Sequence, residues 1–216
     1  MLEGLRNKIE KEHEVNMGLL REALTYAENL RDNDSERGFY TLADKDDNQQ
    51  YVQIFTDGSQ MQCRGIKRFY GAGIFFHEHS QLNDALPIPG CGSTAEAELF
   101  AASVAVAKVT NIKPPVTHVQ IFIDNLAAVG WIQSIFRATD LDLTYLDVST
   151  DKSKFTVNTL KKLRKSIKKL VNLKVTHVKS HTGQPDRISL GNEAADKLAK
   201  EGARIHLESA ADTSLR

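Results

Sequence analysis

The chain has only two cysteines, five prolines and one tryptophan in 216 residues. Cys63 and Cys91 are too few for a disulfide framework, and no CxxC spacing offers a zinc or dithiol redox site. Glycine is sparse as well, at 13 residues, which excludes a collagen-like or low-complexity chain. No uninterrupted apolar run approaches the roughly 18 residues that cross a bilayer, so no membrane partner is expected. The opening MLEGLRNKIEKEHEV alternates charged with apolar residues and lacks the apolar centre of a secretory leader. Free thiols without an export signal lead us to expect an intracellular protein, cytoplasmic or nuclear.

What is present is enough apolar material for a core, 41% of residues, with 26% charged. The formal net charge of zero hides an asymmetry. Residues 1–50 carry 7 Lys+Arg against 12 Asp+Glu, whereas residues 152–204 carry 14 against 4. A basic C-terminal third in an otherwise acidic chain is the footprint of a polyanionic partner.

Apolar residues recur at three- and four-residue steps from Leu2 to Leu30, a helical pattern. Residues 31–50 are dense in Asp, Asn and Ser and read as a linker, so the main domain is expected from residue 51 to 206, with 207–216 as a tail. After Gln50 the period changes. Tyr51–Thr56 reads as a strand closed by the turn signal Asp57-Gly58-Ser59. Phe69–Phe76 and Asp84–Ile88 read as two more strands. Thr94–Val109 is an Ala-rich helix with Ser93 as its N-cap. Val116–Ile123 is a strand apolar enough to be buried on both faces, and Ala127–Phe136 is a helix. Residues 137–154 are irregular. Val157–Val171 is an amphipathic helix, Val175–Val178 the last strand and Gly191–Ala203 the last helix. Five strands and their helices make a mixed sheet with helices packed on it, an α/β domain of about 150 residues.

Four acids stand out. Asp57 and Asp124 each close an apolar strand, Glu98 lies within the apolar face of Ala97-Glu98-Leu99-Phe100-Ala101, and Asp196 within Ala194-Ala195-Asp196-Lys197-Leu198-Ala199. An Asp after a strand is by itself an ordinary turn or cap residue. Strand ends in an open sheet, however, converge on one crevice, and carboxylates brought together there repel unless cations neutralise them. Hard oxygen ligands without Cys select Mg²⁺ or Mn²⁺ over zinc. Two such ions, about 3.5–4 Å apart, would clamp the attacking and leaving oxygens of a phosphodiester.

The succession Ile-Phe-Thr-Asp57-Gly-Ser, Ala-Glu98-Leu-Phe-Ala-Ala, Ile-Phe-Ile-Asp124-Asn, Val-Lys-Ser-His181-Thr-Gly and Gly191-Asn-Glu-Ala-Ala-Asp196-Lys-Leu-Ala resembles ribonuclease H of type 1, cellular or retroelement-associated. The resemblance covers about residues 51–204. It implies a ribonuclease H-like fold, a mixed five-stranded sheet flanked by helices, here with an N-terminal helical extension. It further implies an endonuclease that hydrolyses the RNA strand of RNA–DNA hybrids with two Mg²⁺ ions, Mn²⁺ serving as a substitute. Asp57 would bridge both metals, with Glu98 and Asp124 on one and Asp196 on the other. His181 would assist proton transfer, and Glu193 would support Asp196 from one helical turn away. Nucleic acid is expected against Gly58, Ser59, Asn125 and Lys179, and against the basic helix face of Lys161, Lys165 and Lys168.

The chain departs from the family's pattern in two places. Ser93-Thr94-Ala95-Glu96 stands where the family often has Asn or Gln for sensing RNA 2′-hydroxyls, and residues 137–154 are acidic where cellular members carry a basic protrusion. Glu96 is the alternative to Glu98 if the helical register differs, and His77, His79 and His206 read as surface residues. Two other readings keep the fold: a silent nucleic-acid-binding scaffold, and a nuclease with another nucleic-acid substrate. Residues 1–31 are a candidate for self-association or for a protein partner.

Overall fold

The computed structural model describes residues 39–63, 67–138, 153–180 and 183–213, all within a compact unit running from Gly38 to Arg216. The helical pattern of residues 1–30, most of the acidic stretch after residue 137, and His181 lie outside the described residues. In chain order the elements are β1 (Tyr40–Ala43), β2 (Gln50–Cys63), β3 (Lys67–Phe75), β4 (Asp84–Pro87), α1 (Thr94–Val109), β5 (His118–Ile123), α2 (Leu126–Arg137), α3 (Lys154–Ile167), β6 (Asn172–His177) and α4 (Arg187–Thr213). No described helix is long and apolar enough to cross a membrane.

The sheet runs β4-β3-β2-β5-β6, with β1 paired to β2 off this path. It is mixed: β1, β3 and β4 pair antiparallel, whereas β5 and β6 pair parallel. The five expected strands are present, and β1 is a sixth. Its sequence, Tyr-Thr-Leu-Ala, sits in the stretch read as a linker. The acids that suggested a linker instead fasten its turn: Asp44 and Asp47 lie 2.6 and 3.4 Å from Lys174 on β6. That ammonium also stands 4.4 Å above the ring of Tyr51.

Strand β2 departs most from expectation. It does not turn at Asp57-Gly58-Ser59. Its ladder with β3 continues through Asp57↔Gly73, Gly58↔Ala72 and Ser59↔Gly71 to Cys63↔Lys67. On its other edge the pairing with β5 stops at Phe55↔Phe122. Asp57 is therefore mid-strand on one edge and just past the last partner on the other. The crevice opens there, at the carboxyl end of β5, where open α/β sheets place ligands.

Helices α1, α2 and α3 form one apolar cluster with the sheet, including Ile54, Ile74, Ile121, Leu99, Val106, Ile132, Leu160 and Leu163. On the other face Phe55, Phe75 and Phe122 meet Ala195 of α4. Phe55 stacks on Phe122 with centroids 4.8 Å apart. Strand β5 is buried on both faces as expected, with Ile121, Phe122 and Ile123 at 0%, 1% and 0% exposure.

Helix α4 lies directly on the backbone of β3. A Cβ added to Gly73 would stand 1.9 Å from the Ala195 carbonyl oxygen, and Ala195, Ala199 and Ala203 are fully buried at four-residue steps. The helix starts four residues earlier than its apolar pattern suggested, because the Asp186 side chain accepts from the Ile188 and Ser189 N–H groups at 2.9 and 3.0 Å, the role of an N-cap. It also runs on to Thr213, into the segment expected to be a tail.

These contacts carry a prediction. Gly73→Ala forces helix and strand apart and should cost about 2–3 kcal/mol, within the range of core overpacking. Gly130, in α2, has nothing within 4 Å of an added Cβ, so Gly130→Ala should gain about 0.5–1 kcal/mol from helix propensity. Denaturant unfolding of both variants measures the two signs.

Candidate active site

Three carboxylates meet in the crevice. Asp57, Glu98 and Asp124 each offer an oxygen, and these atoms lie within 4.8 Å of one another. They come from three elements: the middle of β2, the second turn of α1 and the residue after β5. Asp57 and Glu98 are 6% and 2% exposed. What brings them together is Gly58. A Cβ there would stand 2.6 Å from the Glu98 nitrogen and 2.8 Å from the Thr94 carbonyl, so a side chain at this position would push the first turns of α1 off the strand.

Asp196 joins the wall of the same pocket from α4, together with Asn192 and Glu193, but it is not part of the close triad. Its carboxylate pairs with Lys200 one turn along the helix, at 2.7 Å. Asp124 accepts a hydrogen bond from the Ser180 hydroxyl at 2.7 Å, and His177 Nε2 lies 3.0 Å from its backbone oxygen. Asn125 lines the pocket, while its Oδ1 caps α2 by accepting from the Ala127 and Ala128 N–H groups.

Glu96 and Glu98, two residues apart on α1, lie in opposite settings. Burial pushes Glu96 upward, but the Ser153 and Thr156 hydroxyls and the Gly92 N–H outweigh it and hold the carboxyl below the usual range. The Thr156 and Gly92 bonds are both 2.7 Å. Glu96 thus ties α1 to the start of α3. Glu98 has no such donors: its Oε2 is buried without a hydrogen-bond partner. Burial, then the neighbouring Asp57 and Asp124, push it well above the carboxylate range. Asp57 is raised to about 6, mainly by burial and further by Asp124 and Asp196, with contact to Glu98 offsetting part of the rise.

A crowd of hard oxygen donors with an orphaned buried oxygen suits a divalent cation of the Mg²⁺ or Mn²⁺ type. Cysteine takes no part. Cys91 points its thiol at the Ser93 carbonyl, and burial pushes it up to about 11.

The RNase H family model matches residues 49–204. The chain belongs to the RNase H family. It is 26% identical to human ribonuclease H1 over 156 residues, covering 71% of this chain and 50% of that protein. The rat ribonuclease H1 is 27% identical over the same length. The chain therefore spans about half the length of the curated relatives it matches. Among solved structures, the RNase H domain of PFV superposes with a TM-score of 0.52 at 20% identity, covering 71% of this chain and 94% of that one. The foamy viral protease-reverse transcriptase in complex with an RNA/DNA hybrid gives 0.51 at 22% identity, covering 70% and 20%. These structures share the fold.

Of the residues expected to bind nucleic acid, Gly58 and Asn125 line the acid pocket. Ser59 lies in a neighbouring groove with Lys197, Lys200 and Arg204. Lys179 is exposed after β6, and Lys161, Lys165 and Lys168 are exposed along α3. Helix α3 begins beside α1 and ends where Lys169 reaches Asn111 at 2.9 Å and Val171 bonds Thr117 at the start of β5. Lys168 is thus at the end of the sheet away from the acids, about 20 Å along the strand direction for the six residues of β5. Arg164, on the same helix, turns inward to the Ile135 and Ala138 carbonyls and caps α2. His206, read as a surface residue, contacts the β3 backbone at Tyr70.

Sequence reasoning passed over Ser180 and Asn192. Both sit inside the quoted motifs, Val-Lys-Ser and Gly-Asn-Glu, and that position is the signal that could have found them.

Asp57 and Glu98 bind their protons more tightly in the folded chain than in the unfolded one. In the metal-free protein, stability should therefore fall as pH rises from the ordinary aspartate value of 3.8 to about 6 and stay low above it. Asp57→Asn removes one of these charges and should raise metal-free stability at pH 7 by about 2–3 kcal/mol, the worth of a shift of that size. It should also flatten the slope below pH 6. Thermal unfolding across pH 4–8 in the presence of a chelator reads both effects.

Proposed function

We propose that this RNase H family member is an endonuclease that hydrolyses the RNA strand of RNA–DNA hybrids. The observation that carries the proposal is the triad of Asp57, Glu98 and Asp124, two buried and one half-buried, in a pocket whose described lining includes no basic side chain. Two Mg²⁺ ions are the proposed cofactor, with Mn²⁺ as a substitute, and Asp57, Glu98, Asp124 and Asp196 would hold them. When bound, such ions lower the pKa of water and stabilise charge developing on the phosphate.

The chain's own residues prepare that chemistry. Glu98, which burial and its carboxylate neighbours push well above the usual range, would give its proton up to solvent where cations are held. The Ser180 hydroxyl fixes the orientation of Asp124, and Asn125 holds the start of α2 so that the Asp124 backbone keeps its place. His181 is proposed to move a proton on the leaving side. The nucleic-acid backbone is proposed to lie against Gly58, Ser59, Asn125 and Lys179. Helix α3 grips a strand beyond the pocket, Lys161 nearest the acids and Lys168 farthest. That the foamy viral enzyme of the same fold was captured with an RNA/DNA hybrid supports this choice of substrate.

The direct test offers the protein matched hybrid, duplex RNA and duplex DNA with Mg²⁺ and then with a chelator. Cleavage of the hybrid's RNA strand alone, lost on chelation and in Asp57→Asn, is the expected result. Binding without cleavage under any condition would leave a silent scaffold, and cleavage of duplex DNA would assign another substrate.

Phosphate contacts along α3 release condensed counterions, each adding about 0.7–0.9 to the slope of log affinity against log salt. The triple change of Lys161, Lys165 and Lys168 to Gln should therefore flatten that slope for hybrid binding by about two to three units on the same scale. Turnover at saturating hybrid should hardly change. An unaltered slope would reduce this helix face to a solvated surface.

A further inference from the structure

Asn192 carries an amide oxygen that no described residue binds. It is 4% exposed, and its Oδ1 is buried without a hydrogen-bond partner. It lies on α4 one turn before Asp196, so the two share a helix face, and both line the acid pocket. Leaving an amide oxygen unpaired in the interior costs about 1–3 kcal/mol. None of the pocket's acids is its hydrogen-bond partner. Among the described residues no donor serves it, and what fills the pocket can supply one. Its volume is about 250 Å³, room for several waters at about 30 Å³ each.

We propose that Asn192 is a positioning residue: its buried amide oxygen holds a water that completes the hydration shell of a cation seated on the carboxylates. Mg²⁺ dehydrates reluctantly and keeps several of its waters when bound by a few carboxylates. Partners that orient a metal's ligands from outside contribute about 10–100-fold to its affinity. This inference rests on the reading of the acid pocket as a cation site. It adds a fifth side chain, an uncharged one, whose part is to fix a water. Such a residue also selects. A fixed acceptor aimed at an aqua ligand favours ions that retain water over ions that shed it.

The test uses the full chain, freed of metal and titrated with Mn²⁺, following water-proton relaxation and calorimetric heat, with metal-free thermal unfolding alongside. Asn192→Leu keeps the γ-branched shape and removes the orphaned oxygen. It should unfold at the same or a higher temperature than the parent without metal, yet bind Mn²⁺ at least about tenfold more weakly. Asn192→Asp keeps an acceptor and should hold its affinity within a fewfold of the parent. If leucine does not fold in this position, Asn192→Ala is read by the same measurements.

A structural role predicts the reverse, a lower metal-free unfolding temperature with unchanged Mn²⁺ affinity, and that result overturns the proposal. A parent protein that does not bind Mn²⁺, or an Asp57→Asn variant that binds it as well as the parent, overturns the cation site itself. That failure is distinct from one confined to Asn192.

Discussion

Asp57 and Glu98 are held side by side and almost fully buried, against the cost of taking carboxylates out of water and against the repulsion they would exert when both are ionised. Left to relax, two such groups would move apart, and the arrangement survives because the surroundings do not yield. Helix α1 sits so close to β2 at Gly58 that its first turns have no room to shift along the strand. Its N-terminal end is pinned a second time by Glu96, which gathers hydroxyls from α3 and a backbone N–H from the preceding loop. One glutamate spends its charge on fixing the helix, and the glutamate two residues later is thereby kept where its own charge is poorly accommodated. Stored unfavourable electrostatics of this kind is the reservoir from which a site draws cation affinity.

Much of this is legible in the sequence. Helix Thr94–Val109 and its Ser93 cap follow from an Ala-rich run with no breaker, and the observed helix has those limits. The motif order identified the family, and with it the set of acids to examine. The misreadings have physical causes. Asp57-Gly58-Ser59 has the composition of a turn, yet it is strand because β3 offers a partner along its whole length, which no local rule can register. Tyr40–Ala43 is short and flanked by acids, and those acids look like solvated linker until Lys174 is brought to them by the fold. Apolar spacing puts the start of α4 late, at Gly191, whereas the capping residue is Asp186.

Asn192 shows a different kind of illegibility. An asparagine beside a glycine at a helix start looks like ordinary capping chemistry. Only burial and the lack of a partner, both properties of the assembled pocket, set it apart. The acids were conspicuous because charge within an apolar pattern is conspicuous. A neutral amide in the same pattern is not.

The contact between α4 and β3 has a consequence for how Asp196 is aimed. With Ala195, Ala199 and Ala203 laid against strand backbone at Gly73 and Gly71, the glycines put no side chain between the two elements to cushion a rotation. A helix advances about 100° per residue, from its 3.6 residues per turn. A slip of one position would turn Asp196 away and present Lys197 or Ala195 in its place. The small-residue seam therefore acts as an angular index. It sets which sign of charge faces the crevice, and it does so with residues that carry no charge themselves.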